Sequence, residues 1–249
     1  MKIFRVLSLL VFPVLPSALF ASLASDLRIE EAARNCYSLR VVLSDQGPMT
    51  ISALNGVVAL TGTVRDLQSK VLAGETIAHL RGVARVDNGL IVLGQPLEFS
   101  DGWINHAIRR RLLVQANVRA NSTGIAVDDG VVTLTGTSAS QSQKEQTGFY
   151  AASIDRVRSV KNNLVVDDSG TSRPSPADNV DDASINTLVK HALSAHRLGL
   201  GNDTSIRTRD GMVMISGMVD SAQEKEDITA LAREIRGVRT VVNNMRVRA

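Results

Sequence analysis

The sequence predicts an α+β fold of three tandem αββαβ modules, each a three-stranded mixed sheet with two helices on one face, behind an N-terminal signal peptide. Three observations predict it. The first is a repeat: Gly56-Val-Val-Ala-Leu-Thr-Gly62, Gly130-Val-Val-Thr-Leu-Thr-Gly136 and Gly211-Met-Val-Met-Ile-Ser-Gly217 align without a gap. Residues 56–92 and 130–166 share 15 of 37 positions, enough to treat them as copies. The second is a turn signal before each run, Asn55-Gly56, Asp129-Gly130 and Asp210-Gly211, which marks a β-hairpin. The third is a switch from alternating to helical periodicity after each hairpin.

Taken in order, Lys2 and Arg5 precede an apolar stretch, Val6 to Phe20, and then Ala21-Ser22-Leu23-Ala24. A basic start, a short apolar run and small residues at the cleavage positions predict a secretory signal cut after Ala24. The run is shorter than the ~20 residues a spanning helix needs, so the mature chain is expected to lack a transmembrane helix. The three modules are expected at 26–94, 100–168 and 179–249, with a flexible linker at 169–178.

Each module opens with a helix stepping by four residues: Ile29, Ala33, Tyr37; Ile104, Ile108, Leu112; Ile185, Val189, Leu193. The hairpin follows, with Val58 and Leu60, Val132 and Leu134, or Val213 and Ile215 on one face. Gly62, Gly136 and Gly217 fall on that face, and a close helix approach is the expected reason. Asp66, Ser140 and Ser221 are N-caps for the second helix, and Gln143 and Glu224 supply capping boxes. Gly82 and Gly237 suit the position past the helix end, where the second copy has Arg156. A closing strand contains Val86-Asp-Asn88-Gly-Leu90, Val160-Lys-Asn162-Asn-Leu164 or Val241-Val-Asn243-Asn-Met245. Strand, helix and strand imply a parallel pair with a right-handed crossover. Leu97 and Phe99 are expected to dock copies one and two. Asp167 to Asp182 is Asp/Ser/Pro-rich and is expected to be a mobile tether spanning roughly 20 Å.

Composition narrows the function. Residues 1–24 carry two basic residues and no acidic ones, so cleavage takes the net charge from +3 to +1. That balance argues against nucleic acid as a partner. Only Tyr37, Phe99, Trp103, Phe149 and Tyr150 are aromatic after residue 24, so stacking platforms are not expected. The single cysteine, Cys36, is read as a small core residue, with an intermolecular disulfide as the alternative. His79, His106, His191 and His196 show no ligand spacing, and no nucleophile elbow or phosphate loop is present. No catalytic, cofactor or metal site is therefore expected.

The Gly-Val-Val-x-Leu-x-Gly strand, the helix after it and the Val-x-Asn-x-Leu closing strand resemble the BON domain. The resemblance covers nearly all of residues 26–249 and recurs three times in register. It implies export to the bacterial envelope and binding of phospholipid or envelope proteins rather than catalysis, in some members with chaperone activity under osmotic stress. A third copy departs from the common pair, and no lipobox is present.

Two surfaces are candidates. On the first helix of copy two, Trp103, His106 and Arg110 form a stripe flanked by Arg109 and Arg111, suited to lipid headgroups. The alternative is that Trp103 packs on copy one through Phe99. In copy three, Met212, Met214 and Met218 lie on the sheet face away from the helices, with Arg207, Arg209, Arg246 and Arg248 around them. Such a face can accept anionic lipid or unfolded peptide, or pack on a neighbouring copy. The leading expectation is a periplasmic, non-enzymatic binder of anionic phospholipid at the envelope surface, supporting envelope integrity under osmotic or similar stress. A chaperone or interaction module for unfolded envelope proteins is the alternative, and a ligand-free spacer is a third reading.

Overall fold

A computed structural model describes residues 17–94, 100–167, 179–196 and 204–248. Most of the expected signal peptide, the docking residues Leu97 and Phe99, and the linker 169–178 lie outside them. Each module has the expected order of elements. The first comprises α1 (Ser17–Asn35), a π-helical turn (Ser38–Val42), β1 (Met49–Leu54), β2 (Val57–Val64), α2 (Leu67–Ala78), β3 (Arg85–Asn88) and β4 (Ile91–Val92). The second comprises α3 (Asp101–Val114), a 3-10 turn (Ala120–Ser122), β5 (Thr123–Asp128), β6 (Val131–Ser138), α4 (Gln141–Ala152), β7 (Ser159–Asn162) and β8 (Val165–Val166). The third comprises α5 (Asp182–Ala195), β9 (Ser205–Arg209), β10 (Met212–Ser216), β11 (Met218–Val219), α6 (Ala222–Arg233), β12 (Thr240–Asn243) and β13 (Arg246–Val247).

The middle strand of each sheet is antiparallel to the hairpin partner before it and parallel to the closing strand. The turns are built as the sequence requires. Asn55, Asp129 and Asp210 have φ of 52°, 46° and 51°, and the glycine after each is also positive. The helix starts are equally local: Asp66, Ser140 and Ser221 accept from the backbone N–H three residues on. Arg156 adopts φ 69°, the conformation that Gly82 and Gly237 supply in the other modules.

Two features differ from expectation. Gly62 and Gly136, which end the Gly-x5-Gly run, do not serve a helix. A Cβ on Gly62 would stand 2.1 Å from the Pro48 carbonyl oxygen, and one on Gly136 2.0 Å from that of Ser122. The close approach is therefore by the backbone entering the hairpin. The closing strand is also broken in two. Asn88 donates through its amide to the Lys70 carbonyl on α2 (2.8 Å) and accepts from Leu90 N–H (3.4 Å). Asn162 and Asn243 make the same pair of bonds to Lys144 and Leu164, and to Lys225 and Met245. The bond to the helix interrupts the ladder and turns Leu90, Leu164 and Met245 into the core, where each is at most 2% exposed.

The modules are not beads on a string. One continuous core joins the first and third, from Ile29, Val58 and Leu60 to Leu188, Val213 and Ile235. The second has its own core around Ile108, Val132, Leu134 and Leu164. Helix α5 packs against α2 as well as its own sheet. Its eight buried residues include Ser184, Asn186 and Thr187, so it is enclosed on more than one side. Third-module docking thus fixes what the sequence left as a tethered unit.

Candidate functional site

The chemistry of the molecule lies in one open sheet face and in the junctions between modules. Register defines the open face. Met212 stands opposite Arg209 and Thr240, Met214 opposite Arg207 and Val242, and Met218 opposite Arg246. Val213 and Ile215, pointing the other way, are fully buried, while Met212 and Met214 are 44% and 38% exposed. Arg207, Arg209 and Arg246 are exposed beside them, and Met218 is half-buried. Arg248 is paired with Asp220 at 2.8 Å, and Arg209 lies 3.7 Å from Asp210. The structure therefore brings Arg207, Arg209, Met212, Met214, Met218 and Arg246 onto one face, with Arg248 at its end.

The stripe on α3 is placed differently from the lipid-facing expectation. His106 Nδ1 lies 2.8 Å from an Asp45 carboxylate oxygen, and its Nε2 is hydrogen-bonded to Arg65. Arg110 pairs with Asp66 at 3.0 Å and also reaches the Ser69 hydroxyl. These partners belong to the first module, so the helix edge is an intramolecular interface rather than a membrane face. Trp103 is half-buried and packs against the second core. Arg109 and Arg111 are also half-buried. Arg111 sets its guanidinium 5.5 Å from the centroid of the Tyr150 ring, a cation–π distance.

Nine residues after Asp101 and Asp182 stand Arg110 and His191. Both grip α2. Arg110 takes its N-cap Asp66, while His191 and Lys190 take Glu75 at 3.1 and 2.7 Å near its other end. Burial pushes the Glu75 carboxyl up, but the Lys190 hydrogen bond and charge, with His191, outweigh it and hold it below its ordinary range. The second and third modules join through backbone: Ala116 N–H donates to Glu234 O and Arg236 N–H to Val114 O. The Arg236 guanidinium donates to the carbonyls of Leu113, Gln115 and Val118 at 3.1, 2.7 and 2.8 Å. At the first–third junction, Asp181 accepts from Tyr37 N–H, and Ser184 Oγ from Ser38 N–H.

Sequence reasoning missed one recurring residue. Asp26, Asp101 and Asp182 each accept two backbone N–H groups from their own hairpin turn, at 2.7 to 2.9 Å. The signal was present, since each stands three residues before the first core isoleucine of its helix. The histidine–carboxylate pairs had no such signal, because their partners are in other modules. Among the described residues no cluster of three or more His, Cys, Asp or Glu could hold a metal ion, and no helix is long and apolar enough to cross a membrane.

Comparison with known proteins gives the family. A model of the BON domain matches residues 38–94, 100–168 and 181–249. The chain belongs to the BON domain family. Osmotically-inducible protein Y of Escherichia coli K12 is 26% identical over 164 residues, spanning 66% of this chain and 80% of that protein. An uncharacterized protein of Anaplasma centrale, from the gshII 5' region, is 26% identical over 128 residues, or 51% of this chain and 83% of its own length. Among solved structures, the C-terminal domain of CdsD, a structural protein of the Chlamydia trachomatis type III secretion system, overlaps 85% of this chain and 96% of its own. That overlap has 14% identity and a TM-score of 0.25, too low to bear on fold or function. The three BON modules thus carry two kinds of polar chemistry, one turned inward to fasten modules and one left open on the third sheet.

Proposed function

We propose that this BON protein is an exported, periplasmic, non-enzymatic component of the bacterial envelope. Its third module lies against anionic phospholipid and supports envelope integrity under osmotic stress. The observation that carries the reading is the cross-strand register of Arg207, Arg209 and Arg246 with the exposed Met212, Met214 and the half-buried Met218. Arginine meets headgroup phosphate and methionine fills irregular apolar space beneath it. The name of the Escherichia coli relative supports the link to osmotic stress. Flotation with vesicles of phosphatidylcholine alone or with 30 mol% (approximately) phosphatidylglycerol tests it. The protein is expected to float with anionic vesicles only, and less at high salt. At ~1 kcal/mol per basic residue near the surface, replacing Arg207 and Arg209 by Gln should weaken binding by roughly 30-fold. Equal flotation with both vesicle types, or no loss in the variant, rejects the reading.

A second reading rests on the edge strand β9, which among the described residues pairs only with β10. An extended segment of an unfolded envelope protein can add to that edge while its side chains meet the methionines. In that case Met212→Ser with Met214→Ser and Met218→Ser abolishes suppression of client aggregation and leaves flotation absent throughout.

A further inference from the structure

The chain contains two Asn-Gly pairs, Asn55-Gly56 and Asn88-Gly89. Such a pair is chemically labile, because glycine carries no side chain to keep its nitrogen away from the asparagine amide carbon. The structure treats the two pairs in opposite ways. Asn88 is half-buried in the closing strand. Its amide nitrogen donates to the Lys70 carbonyl at 2.8 Å, and its amide oxygen accepts from Leu90 N–H. The same amide lies against Gly74 of α2, where a Cβ would stand 2.5 Å from it. Gly89 N–H donates to the Leu60 carbonyl at 2.8 Å. Asn55, by contrast, is exposed at the tip of the first hairpin. Its side-chain amide has no hydrogen-bond partner among the described residues. Only backbone is held there: the N–H groups of Asn55 and Gly56 donate to the two carboxylate oxygens of Asp26, at 2.8 and 2.9 Å.

We propose that Asn55 is a site of spontaneous deamidation in the folded protein, that Asn88 is locked against the same reaction, and that Asp26 sets the rate. The Gly56 nitrogen bonds to Asn55 Cγ and gives up its proton. The side-chain nitrogen leaves as ammonia, which closes a cyclic imide. Water then opens the ring: breaking the new Cγ–N bond gives aspartate, and breaking the original peptide bond gives isoaspartate. Water is consumed, ammonia is released, and nothing is oxidised or reduced. At Asn55 the amide carbon is free to turn towards the attacking nitrogen. The brake is Asp26. The Gly56 nitrogen must leave a charge-assisted hydrogen bond, and the carboxylate beside it opposes loss of the N–H proton. At Asn88 both reacting groups are tied, and the side chain must also leave its seat on Gly74. The aspartate product has a place ready. Asp129 and Asp210 occupy the same turn position at φ of 46° and 51°, close to the 52° of Asn55, and Asp101 and Asp182 hold those turns as Asp26 holds this one. Asp129 pairs with Arg158 at 2.6 Å. The counterpart of Arg158 in module one is Ala84, since each donates its N–H to the carbonyl of the turn glycine. A charge gained at Asn55 therefore meets no arginine at that position, and the tip of module one becomes acidic. The reaction is independent of what the open sheet face binds.

The full chain is incubated in heavy-oxygen water at mildly alkaline pH, folded or in urea, then digested in ordinary water and mapped by mass spectrometry. The oxygen label marks only the conversion that occurs during incubation. In the folded protein, label is expected to accumulate in the Asn55 peptide roughly tenfold faster than in the Asn88 peptide. In urea the two should convert at similar rates, because only the shared Asn-Gly chemistry remains. Asp26→Asn keeps the size of the side chain and removes its charge. It should speed conversion of Asn55 in the folded protein roughly tenfold, the kinetic equivalent of one lost charge-assisted hydrogen bond, and leave Asn88 unchanged. Far-ultraviolet circular dichroism verifies that the variant is folded; should it unfold, the contrast between Asn55 and Asn88 in the unsubstituted folded chain still decides. Equal rates at the two asparagines in the folded protein, no label at Asn55, or an unaltered Asn55 rate in folded Asp26→Asn overturns the proposal.

Discussion

Single residues repeat their tasks three times in this chain. The aspartate at the start of each first helix holds two N–H groups of the Asx-Gly turn, and the asparagine of the closing strand ties it to the second helix. The charge-assisted aspartate bonds bring about 1.5–3 kcal/mol each and the neutral asparagine bonds about 0.5–1.5 kcal/mol, so they fix the hairpin on the helix as well as the turn on itself. Cys36 has no counterpart of this kind. It is 2% exposed, and burial pushes its thiol from the ordinary 9.0 up to about 12. We expect the native protein to resist alkylation at pH 8 and to react fully in denaturant, measured by mass of the adduct. The raised value also sets a sign. Between pH 9 and about 12 the unfolded chain releases a proton that the native state keeps, so stability falls as pH rises through that window. Rapid native alkylation at pH 8 would contradict the buried placement, and with it the reading of Cys36 as a core residue.

At the scale of elements, α2 decides the arrangement. It is the second helix of its own module, yet α3 and α5 both fasten to it, one at each end. The α5 clamp depends on pH. Because Glu75 is held below its ordinary 4.5 in the folded protein, its contribution is present above that value and disappears as pH falls below it. The pair is 45% and 29% exposed at Lys190 and Glu75, so screening limits it to about 0.2–1 kcal/mol. Glu75→Gln is expected to lower stability by that amount at pH 7 and to have little effect near pH 3. Urea midpoints at the two pH values check this; an equal loss at both would show that the charge is not what Glu75 contributes.

For the whole molecule, a shared core joins modules one and three, and a backbone bridge joins modules two and three. Arg236 is the fastening point of the second seam. Arg236→Ala leaves three carbonyls without their donor and should destabilise by about 3 kcal/mol, with Arg236→Lys recovering less than half, since an ammonium cannot reproduce the planar fork. Chemical denaturation measures the loss, and hydrogen exchange at Ala116 and Arg236 N–H should accelerate most. Slow exchange there in Arg236→Ala would mean that backbone pairing alone holds the seam.

By itself, the sequence determined the module. Alternation, Asx-Gly turns and N-caps are local features, and their energies are decided within a few residues of each other, so the αββαβ order and the core-facing Val58, Leu60, Val132, Leu134, Val213 and Ile215 could be read directly. The Met/Arg face was legible for the same reason, because strand register fixes which side chains share a side. Only tertiary structure decided what the helix surfaces do. Trp103, His106 and Arg110 make an amphipathic edge that suits a membrane as well as a neighbouring module, and nothing local distinguishes the two. The choice was made by Asp45, Arg65 and Asp66, which come from another module and meet that edge only once the chain has folded.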